Sequence, residues 1–507
     1  MHSTLSAGSL SLRRHLVDSP AVPDVVLPPL NLAEVQRSVA TELDRIAPVI
    51  DELGALFEAA GHELALVGGP VRDAMLGRHH NDLDFTTSAR PDETERLLRT
   101  WARSDRGSAI WDMGRAFGTI GCRKGEWDVE VTTYRSESYD PSSRKPEVDF
   151  GDSLDGDLGR RDFTVNAMAV RLPGREVEDP YGGVVDLAHR VLRTPGRPED
   201  SFSDDPLRMM RAARFAAQLG FTVDESVVAA MTAMADRIQI ISAERVRDEL
   251  VKLICAPYPR LGLQLLVETG LAAQVLPELP ALSLERDEHH RHKDVYEHTL
   301  TVLEQAIALE DRLGGEPDFV SRFAALMHDV GKPRTRKFVD DGTVTFHHHD
   351  VVGAKLTRKR MKALRFSNDQ IESVSKLVEL HLRFHGYGTG EWTDSAVRRY
   401  VRDAGDQLER LHVLTRADCT TRNQRKADRL RRTYDELEER IARLSEEEEL
   451  ASIRPDLDGT QIMEILGIGP GREVGAAYKF LLELRMDNGP MSEEDARAAL
   501  LAWAAER

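Results

Sequence analysis

The chain has 507 residues, of which 41% are hydrophobic and 30% are charged, and its formal net charge at pH 7 is −18. This composition is typical of a folded protein with buried cores, and the length suggests about three domains. A membrane-spanning protein is excluded because no apolar run is long enough to cross a bilayer. The excess of acid argues mildly against a nucleic-acid partner, because phosphate contacts need lysine and arginine.

The N-terminal 30 residues mix polar and apolar positions and contain four prolines, which predicts a flexible tail rather than a signal peptide. The three cysteines, Cys122, Cys255 and Cys419, lie far apart and follow no zinc or disulfide spacing. We therefore expect a protein of the reducing cytoplasm.

Residues 31–195 are predicted to form an α+β head around a single sheet. Short β-rich runs at 63–67, 83–86, 118–122 and 127–133 alternate there with helical stretches. A mixture of strands and helices in one segment of this length is typical of one domain with one core.

A cluster of proline and glycine at 194–198 predicts a boundary after the head. Beyond it the periodicity is almost wholly helical. We divide this part into a helical neck at 196–281, a histidine-rich region at 282–434, and an acidic linker with a helical tail at 435–507. No internal repeat is visible.

Basic side chains concentrate at 355–362, 398–402 and 422–432, while acidic ones collect at 435–449. The ordinary interpretation of each basic cluster is a solvated helix face, and a nucleic-acid contact is the alternative. The charge pattern therefore leaves the class of partner open.

The strongest local motif is LVGGPVRDAMLG at 66–77. A strand that ends in Gly68-Gly69 and leads into a helix lets the backbone approach a phosphate closely, and Arg72 adds positive charge. This motif predicts a phosphate-binding turn.

Carboxylates follow directly, in DLDFT at 82–86. Asp82 and Asp84 alternate along a predicted strand, so both project from one face. A third carboxylate could come from Asp128 or Glu130, which share a face of a later strand. Three carboxylates suit two Mg²⁺ ions and phosphoryl transfer. A lone Asp-x-Asp is common on solvated strands, and it is the combination with the glycine turn that predicts a metal site.

The stretch from Ser203 to Arg208 has two interpretations. Serine before two aspartates and a proline is favourable chemistry for a helix N-terminus. Asp205 and Arg208, however, are three apart, which places them together on one helix face. A carboxylate and a guanidinium side by side can imitate a Watson–Crick partner for cytosine or adenine while rejecting uracil and guanine. We keep both hypotheses.

A second constellation comprises His298, the doublet His328-Asp329, and Asp418. The doublet presents two ligands side by side, and imidazole with carboxylate suits a divalent metal. A lone histidine is poor support for a metal site, but His-Asp followed by Gly-Lys-Pro is a strong pattern.

Taken together, the head motifs resemble those of the DNA polymerase β-type nucleotidyltransferases, specifically the class II CCA-adding enzymes and bacterial poly(A) polymerases. The resemblance rests on GGPVRD and DLDFTT and continues in order with VEVTTYRSESY (129–139), RRDFTVNAMAV (160–170), DPYGGVVDL (179–187) and DDPLRMMRAARFAAQLGF (204–221). It implies an α+β head with a DNA polymerase β-like mixed sheet, followed by a predominantly α-helical neck, an HD domain and a tail.

The resemblance also implies roles for single residues. Asp82 and Asp84 would bind the metals, with Glu130 as the third catalytic carboxylate, and Asp162 would contact the ribose 2′-hydroxyl. The implied nucleotide-binding set is Gly68, Gly69, Arg72, Arg160, Arg161, Asp162, Asp204, Asp205, Arg208 and Arg211. Asp204 stands where the family has glutamate, which makes its role less secure. For Arg160-Arg161-Asp162 a local ion pair at a helix start is the alternative.

Two further segments match known patterns. Arg135, Tyr139, Arg144 and Pro146 lie in a segment similar to the family's flexible loop near the incoming nucleotide. The stretch FAALMHDVGKP resembles the HD phosphohydrolase superfamily. That second resemblance implies a metal set, in full His298, His328, Asp329, His349, His381 and Asp418, and activity on the phosphates of RNA ends. We expect the remaining nearby histidines, His289, His290, His292, His347, His348 and His385, to be ordinary surface residues.

The resemblance implies an enzyme that adds CCA to the tRNA 3′ end from CTP and ATP, with Mg²⁺ in the head, a divalent metal of undetermined identity in the HD domain, and no membrane partner. The nearest alternative is a bacterial poly(A) polymerase, which the non-basic C-terminal segment MSEEDARAALLAWAAER disfavours. Enzymes that add only CC or only A, and an HD hydrolase with a non-catalytic RNA-binding head, remain open. The sequence leaves the oligomeric state open.

Overall fold

A computed structural model describes residues 28–103, 105–138, 147–151, 153–283, 294–338, 344–387, 392–419, 424–448 and 454–505. Most of the predicted tail, and Tyr139, Arg144, Pro146, His289, His290 and His292, lie outside these ranges. The chain divides into two compact units. The first contains the described residues up to Glu137 with Val148–Gly196 and Leu219–Asp224, and the second contains most of the rest.

The first unit is built on a mixed seven-stranded sheet. Its strands are β1 (Leu64–Val67), β2 (Asp82–Thr87), β3 (Ala109–Trp111), β4 (Thr119–Lys124), β5 (Trp127–Thr133), β8 (Ala169–Leu172) and β9 (Glu176–Glu178), in the order β3-β4-β5-β2-β1-β8-β9. β2 and β5 are parallel and the other neighbours are antiparallel. The predicted mixed sheet is therefore confirmed.

Shorter strands and six helices complete this part of the described chain. The strands are β6 (Arg135–Ser138), β7 (Glu147–Phe150), β10 (Val191–Leu192) and β11 (Thr222–Val223). The helices are α1 (Leu32–Arg45), α2 (Ala47–Ala59), α3 (Gly69–Met75), α4 (Pro91–Ala102), α5 (Leu154–Gly159) and α6 (Gly183–His189). Because the four side chains of β1 are all buried, this strand lies at the centre of the sheet with cover on both faces.

The second unit is helical, as the periodicity predicts. Its first helices are α7 (Pro198–Asp204), α8 (Leu207–Leu219), α9 (Glu225–Met234), α10 (Ala243–Ile254), α11 (Pro259–Glu268) and α12 (Leu271–Val275). Next come α13 (Val295–Ile307), α14 (Phe319–Met327), α15 (Lys332–Thr335), β12 (Lys337–Phe338), β13 (Val344–Thr345), α16 (His349–Ala363), α17 (Asn368–Leu380), α18 (Asp394–Ala404) and α19 (Leu408–Ala417). The C-terminal helices are α20 (Gln424–Glu448), α21 (Gly459–Leu466), α22 (Arg472–Asn488) and α23 (Glu493–Ala505).

Helices α21 to α23 enclose a small hydrophobic core of their own. It is formed by Leu457, Ile462, Ala477, Leu481, Ala496 and Leu500. A capping box at Asp458, whose carboxylate accepts from the Gln461 backbone, fixes where α21 begins. Across the described ranges, we find no helix that combines the length and apolar character needed to cross a membrane.

Candidate active site and metal cluster

The head carboxylates lie where β2 and β5 run side by side. Asp82 and Asp84 are exposed, whereas Leu83 between them is buried, which is the alternation expected of a strand with one packed face. In the parallel register Asp84 lies opposite Glu130 and Asp82 lies opposite Asp128. The fold therefore brings both candidates for the third carboxylate next to the aspartate pair.

Asp128 and Glu130 differ in what they contact. Both carboxylate oxygens of Asp128 accept from the Arg123 guanidinium at 2.5 Å, so this charge is already paired. Among the described residues Glu130 makes no ion pair, and its charge acts on Asp84. The geometry favours Glu130 as the third ligand, and its role stays a prediction.

Asp84 is in an unusual electrostatic environment. The surrounding protein disfavours its ionised form and raises its pKa to about 6, although its side chain remains accessible to water. Glu130 and Asp82 raise this pKa further, while Arg161 and Arg72 oppose the shift. A site with excess negative charge and carboxylate oxygens suits Mg²⁺. The three oxygens are not drawn into one tight cluster, since the groups of ligands within 4.8 Å of one another in the described chain are both elsewhere.

The phosphate-binding turn predicted at Gly68-Gly69 leads into α3. Gly68 has φ +71°, and a Cβ there would approach Arg161 Nη1 to 2.8 Å. Both the backbone conformation and the space therefore favour glycine. The turn places the start of α3 and a guanidinium in one small volume, an arrangement that suits an anionic ligand.

A buried polar chain connects two of the predicted nucleotide-binding residues. Asp162 Oδ1 accepts from Asn166 Nδ2 at 2.9 Å, and Asn166 Oδ1 accepts from Arg72 Nη1 at 2.6 Å. Arg72 also donates twice to Asp73. Sequence reasoning missed Asn166, although it stands four residues after Asp162 in the same motif. Recognition of the ribose by Asp162 stays a prediction.

Arg160 and Arg161 share one buried partner. Both guanidiniums contact Asp157, at 2.6 Å and 3.1 Å, and the pKa of Asp157 is lowered because the two arginines outweigh its burial. A local ion pair of the kind considered as an alternative is therefore present, but its acid Asp157 lies within α5 and Arg160 follows the end of that helix, rather than a helix start. Asp162 accepts from the Phe163 backbone and from Asn166.

The predicted placement of Asp205 and Arg208 on one helix face is wrong. Asp205 lies outside the helix, in an extended conformation between α7, which ends at Asp204, and α8. Its Oδ1 accepts from the Leu207 backbone N–H at 3.0 Å, so Asp205 caps the start of α8, whereas Ser203, which the capping interpretation placed before the helix, lies inside α7. The prediction fails because it assumed one helix from Asp205 to Arg208. Instead α7 ends at Asp204, Asp205 is extended, and α8 begins only at Leu207.

Other residues of this motif also have partners. Asp205 Oδ2 accepts from Arg245 at 2.7 Å, and Arg208, which is buried, donates to the Ser201 hydroxyl at 2.9 Å. The Arg211 guanidinium lies 5.5 Å from the Phe215 ring centre. These contacts hold the motif in place, and binding of a nucleotide by Asp204, Asp205, Arg208 and Arg211 stays a prediction.

The HD residues form a compact cluster in the second unit. They come from α13, α16 and the C-terminal ends of α14, α17 and α19. Two groups of three converge within 4.8 Å, namely His298, His328 and Asp418, and Asp329, His349 and His381. Asp329 connects the groups, since its oxygens lie 3.3 Å from the Nε2 atoms of both His328 and His349.

The imidazoles of the cluster are oriented for metal binding. The Nδ1 atoms of His328, His349 and His381 lie 2.8, 2.8 and 2.6 Å from backbone carbonyl oxygens, so each Nδ1 carries the proton and donates. The Nε2 lone pairs then point into the cluster, as in metal-binding histidines. The Nε2 atoms of His328 and His381 are buried without a hydrogen-bond partner, which is unfavourable unless a ligand occupies the space.

The charges of the cluster also favour metal binding. Burial together with repulsion from His328 lowers the pKa of His381 to about 4. Burial would raise the pKa of Asp329, but His328, His349 and Lys332 hold it well below the usual range. Lys332 donates to Asp329 at 2.6 Å and is a second contact that sequence reasoning missed. The pKa of His328 is instead raised, because Asp329 and Asp418 outweigh its burial. Imidazoles beside ionised carboxylates form a suitable donor set for divalent metal ions.

The histidines without a match behave differently. His347 and His348 are exposed, as expected of ordinary surface residues, and the side chain of His385 lies outside the described part. The three cysteines are free thiols.

Comparison with known proteins identifies the family. An A-adding tRNA nucleotidyltransferase of Deinococcus radiodurans is 34% identical over 450 residues, which cover 87% of this chain and 96% of that enzyme. The chain belongs to the tRNA nucleotidyltransferase family. A CC-adding tRNA nucleotidyltransferase of Thermus thermophilus is 32% identical over 86% of this chain and 93% of its own length. A CCA-adding enzyme of Levilactobacillus brevis is 41% identical, but over 45% of this chain and 55% of that enzyme.

Family models divide this tRNA nucleotidyltransferase into three matched regions. They are a poly A polymerase head domain at residues 64–193, a "probable RNA and SrmB- binding site of polymerase A" at 220–282, and an HD domain at 295–423. The predicted recognition of both the polymerase-like head and the HD domain is confirmed.

Solved structures of the family share the fold. The apo form II of a CCA-adding enzyme has a TM-score of 0.63 and 20% identity, and the match covers 92% of this chain and 98% of that one. The Bacillus stearothermophilus CCA-adding enzyme in complex with CTP has a TM-score of 0.59 and 22% identity, with 94% and 98% coverage.

Proposed function

We propose that this enzyme adds CCA to the 3′ end of tRNA in the cytoplasm, using CTP and ATP with Mg²⁺. The observation that carries the proposal is the pairing of Asp82 and Asp84 with Glu130 across two parallel strands, in a head that also contains a phosphate-binding turn at Gly68. Membership of the tRNA nucleotidyltransferase family supports it.

The chemistry follows from these groups. The tRNA 3′-hydroxyl oxygen attacks the α-phosphorus of the nucleotide, the bond to the β-phosphate oxygen breaks, and pyrophosphate leaves while the hydroxyl proton passes to water. Asp82, Asp84 and Glu130 would hold two Mg²⁺ ions, which supply charge neutralisation when bound. Arg72 and Arg161 would position the triphosphate, with Asn166 and Asp157 fixing their guanidiniums.

Addition of only part of the CCA sequence is a second candidate. The A-adding and CC-adding relatives align over most of both chains, whereas the alignment to the CCA-adding enzyme covers about half of that protein. Full-length similarity therefore does not separate the three products, because they share the same head chemistry.

One experiment distinguishes these products. The enzyme is incubated with tRNA ending before CCA, after C, or after CC, and with labelled CTP or ATP singly and together. Three additions to the shortest tRNA establish CCA synthesis. Extension of only the CC-ended tRNA by one adenosine would establish an A-adding enzyme, and arrest at CC would establish a CC-adding enzyme. Long adenosine tails on unstructured RNA would instead identify a poly(A) polymerase.

We further propose that the HD cluster is a metal-dependent phosphohydrolase site acting on phosphate esters at RNA ends. The convergence of the six side chains, with the Nε2 atoms of His328 and His381 buried and not hydrogen-bonded, carries this second proposal. The six side chains would hold divalent metal, which supplies Lewis acidity when bound. Lys332 would contribute positive charge beside Asp329 for a substrate phosphate.

The two hypotheses for Asp205 and Arg208 predict different outcomes. If the pair reads the base, Arg208→Ala should lower discrimination against UTP and GTP about 10- to 100-fold, since a base-reading pair is worth about 1–3 kcal/mol. If Asp205 only caps α8, Asp205→Ala should cost about 0.5–2 kcal/mol of stability and leave base choice unchanged.

Asp205→Asn is the matched control, because asparagine caps a helix as well as aspartate but lacks the charge. Misincorporation ratios and melting temperatures are measured for the three variants. Unchanged base selectivity in Arg208→Ala and Asp205→Asn would show that the motif is structural.

A further inference from the structure

The charges of α20 run against its dipole. The helix spans Gln424–Glu448, and its N-terminal part carries Arg425, Arg429, Arg431 and Arg432, while its last turns are rich in glutamate. Anions stabilise a helix N-terminus and cations stabilise a C-terminus, so Arg425 in the first turn and the glutamates of the last turn are unfavourable for the isolated helix. The helix dipole therefore does not account for the arginines of α20.

Three of these arginines share one face. Arg425, Arg429 and Arg432 follow the spacing i, i+4, i+7, which confines them to an arc of about 60° on a helix of 3.6 residues per turn. The buried side of α20 is formed by Ala427, Tyr434, Leu437, Ile441 and Leu444. These positions lie on the opposite side of the helix, so the arginine face of α20, defined as Arg425, Arg429 and Arg432, points away from the helices that α20 packs against.

The arginine face has no internal partners. All three side chains are exposed, and in the described part of the chain none has a hydrogen bond or an ion pair, even though Glu436 follows Arg432 by one helical step. Arg431, on another side of α20, contacts Asp428 at 3.4 Å, and Arg440, which lies on the same side about two turns further along, contacts Asp394 at 2.6 Å. In the first three turns of α20 the described guanidiniums without a partner are therefore those of the arginine face.

The other two basic clusters differ from this one. At 398–402, Arg398 donates to the Met486 carbonyl and Arg399 pairs with Asp487, so these residues attach α18 to α22. At 355–362, Arg360 and Lys362 lie in the last turn of α16, where the helix dipole itself favours cations, and Arg360 also pairs with Glu278 at 2.9 Å. The first of these clusters and the C-terminal end of the second are therefore explained by contacts and charges within the protein.

The position of α20 is fixed relative to the HD cluster. The Tyr434 hydroxyl donates to the Thr415 carbonyl at 2.5 Å, and Arg416 pairs with Asp435 at 2.7 Å. Both partners lie on α19, whose C-cap residue Asp418 belongs to the cluster. The arginine face is thus part of the same packed assembly as the candidate hydrolytic site.

We propose that the arginine face of α20 binds the sugar–phosphate backbone of RNA. Along the helix axis the three arginines are spaced by about 6 Å and then about 4.5 Å. They therefore form a short row of guanidinium groups rather than a site for a single ion. A planar guanidinium binds phosphate with two parallel hydrogen bonds, and a repeating polyanion is the ligand that such a row fits. A protein of net charge −18 repels RNA overall, so it needs local cationic surfaces of this kind.

A membrane surface fits this face less well. Membrane-surface helices place large apolar residues next to their cations, whereas the arginine face continues along α20 with Glu436 and Glu439. The assignment to RNA rests on the proposed function, in which tRNA is the substrate.

The test compares two triple variants that each remove three positive charges. R425Q/R429Q/R432Q alters the arginine face, and K355Q/K359Q/K362Q alters exposed lysines of α16 as the matched control. Binding of fluorescent tRNA lacking CCA is measured over a range of salt concentrations. Each lost phosphate contact lowers the slope of log affinity against log salt by about 0.7–0.9, so the arginine variant should lose about 2–3 units of slope and bind at least ~10-fold more weakly at physiological salt. The lysine variant should change much less.

The readouts separate the alternative explanations. Removal of cations from a helix N-terminus should leave the melting temperature of the arginine variant unchanged or higher, so a loss of binding is not a loss of folding. An unchanged slope, or an equal loss in both variants, would overturn the proposal. So would a defect seen with phosphatidylserine vesicles but not with tRNA. If the wild-type enzyme fails to extend tRNA, the proposed function fails; if it extends tRNA and the arginine variant binds normally, only the present inference fails.

Discussion

Replacing Asp84 by asparagine is expected to reduce the rate of nucleotide addition at least ~10³-fold. Asparagine keeps the shape of the side chain but removes the charge that would hold a metal ion, and bound metals supply several kcal/mol of transition-state stabilisation, at about 1.36 kcal/mol for each factor of ten. Single-turnover incorporation of labelled CTP into tRNA lacking CCA measures the effect. Asp82→Asn is expected to behave in the same way.

The Asp84 variant should stay folded. Because the pKa of Asp84 is raised to about 6, above its ordinary value, the ionised carboxylate destabilises the metal-free fold above that pH. At pH 7.5 in EDTA the melting temperature of Asp84→Asn should therefore equal or exceed that of the wild type. The difference should shrink as the pH falls below about 6 and vanish only below about 3.8, where Asp84 is protonated in both the folded and the unfolded chain.

Asp128→Asn is the control for position and charge. Asp128 lies beside Asp82 in the same sheet, but its charge is paired with Arg123 at the surface. This variant should add nucleotides at close to the wild-type rate, because Asp128 is not expected to bind metal. It should also stay folded, because an exposed ion pair contributes only about 0–1 kcal/mol to the free energy of unfolding. Near-normal incorporation by Asp84→Asn, or equal losses in the Asp84 and Asp128 variants, would contradict the assignment of the metal site.

Replacing His328 and Asp329 together by alanine should remove the metal and the hydrolytic activity of the second unit while sparing nucleotide addition. His328 belongs to one group of three ligands and Asp329 to the other, so the double variant disrupts both. Metal content is measured by mass spectrometry after reloading with Mn²⁺, Fe²⁺ or Zn²⁺, and hydrolysis is measured on RNA with a 2′,3′-cyclic or 3′-terminal phosphate. We expect metal to fall from near-stoichiometric to background.

His347→Ala provides the control, because His347 is exposed and close in sequence to the cluster residue His349 without belonging to either group. It should retain both metal and hydrolysis. Circular dichroism checks that the double variant is folded. Metal retention by the double variant would refute the cluster as a metal site, and loss of nucleotide addition in the folded variant would show that the two sites are coupled.

Local sequence patterns predicted much of this protein correctly. The alternation of Asp82, Leu83 and Asp84 gives the strand and its exposed face, because successive side chains of a strand point to opposite sides. The His328-Asp329 doublet, with His298, His349, His381 and Asp418 taken from the HD resemblance, identified the members of the cluster. The helical periodicity beyond residue 196 predicted a helical second part. Each of these signals is contained in a short stretch of chain or in a motif of fixed spacing.

The tertiary structure decided which residues are neighbours, because short stretches of sequence do not contain this information. Glu130 is favoured over Asp128 only because the register of β5 against β2 places it opposite Asp84, and because Arg123 already pairs with Asp128. Asp205 leaves the helix because of where α7 ends, which periodicity does not fix.

The residues of both sites come from segments that are distant in sequence, which is why local patterns could not predict their contacts. Asn166 connects Asp162 to Arg72, which precedes it by 94 residues, and the six HD side chains meet from five helices. Local spacing determines which face of an element a side chain occupies. Which faces meet is determined by strand register and helix packing between distant segments, and these depend on burial of the whole core. The sequence by itself therefore determined the types of group and the elements that carry them, and only the tertiary structure decided which groups are neighbours.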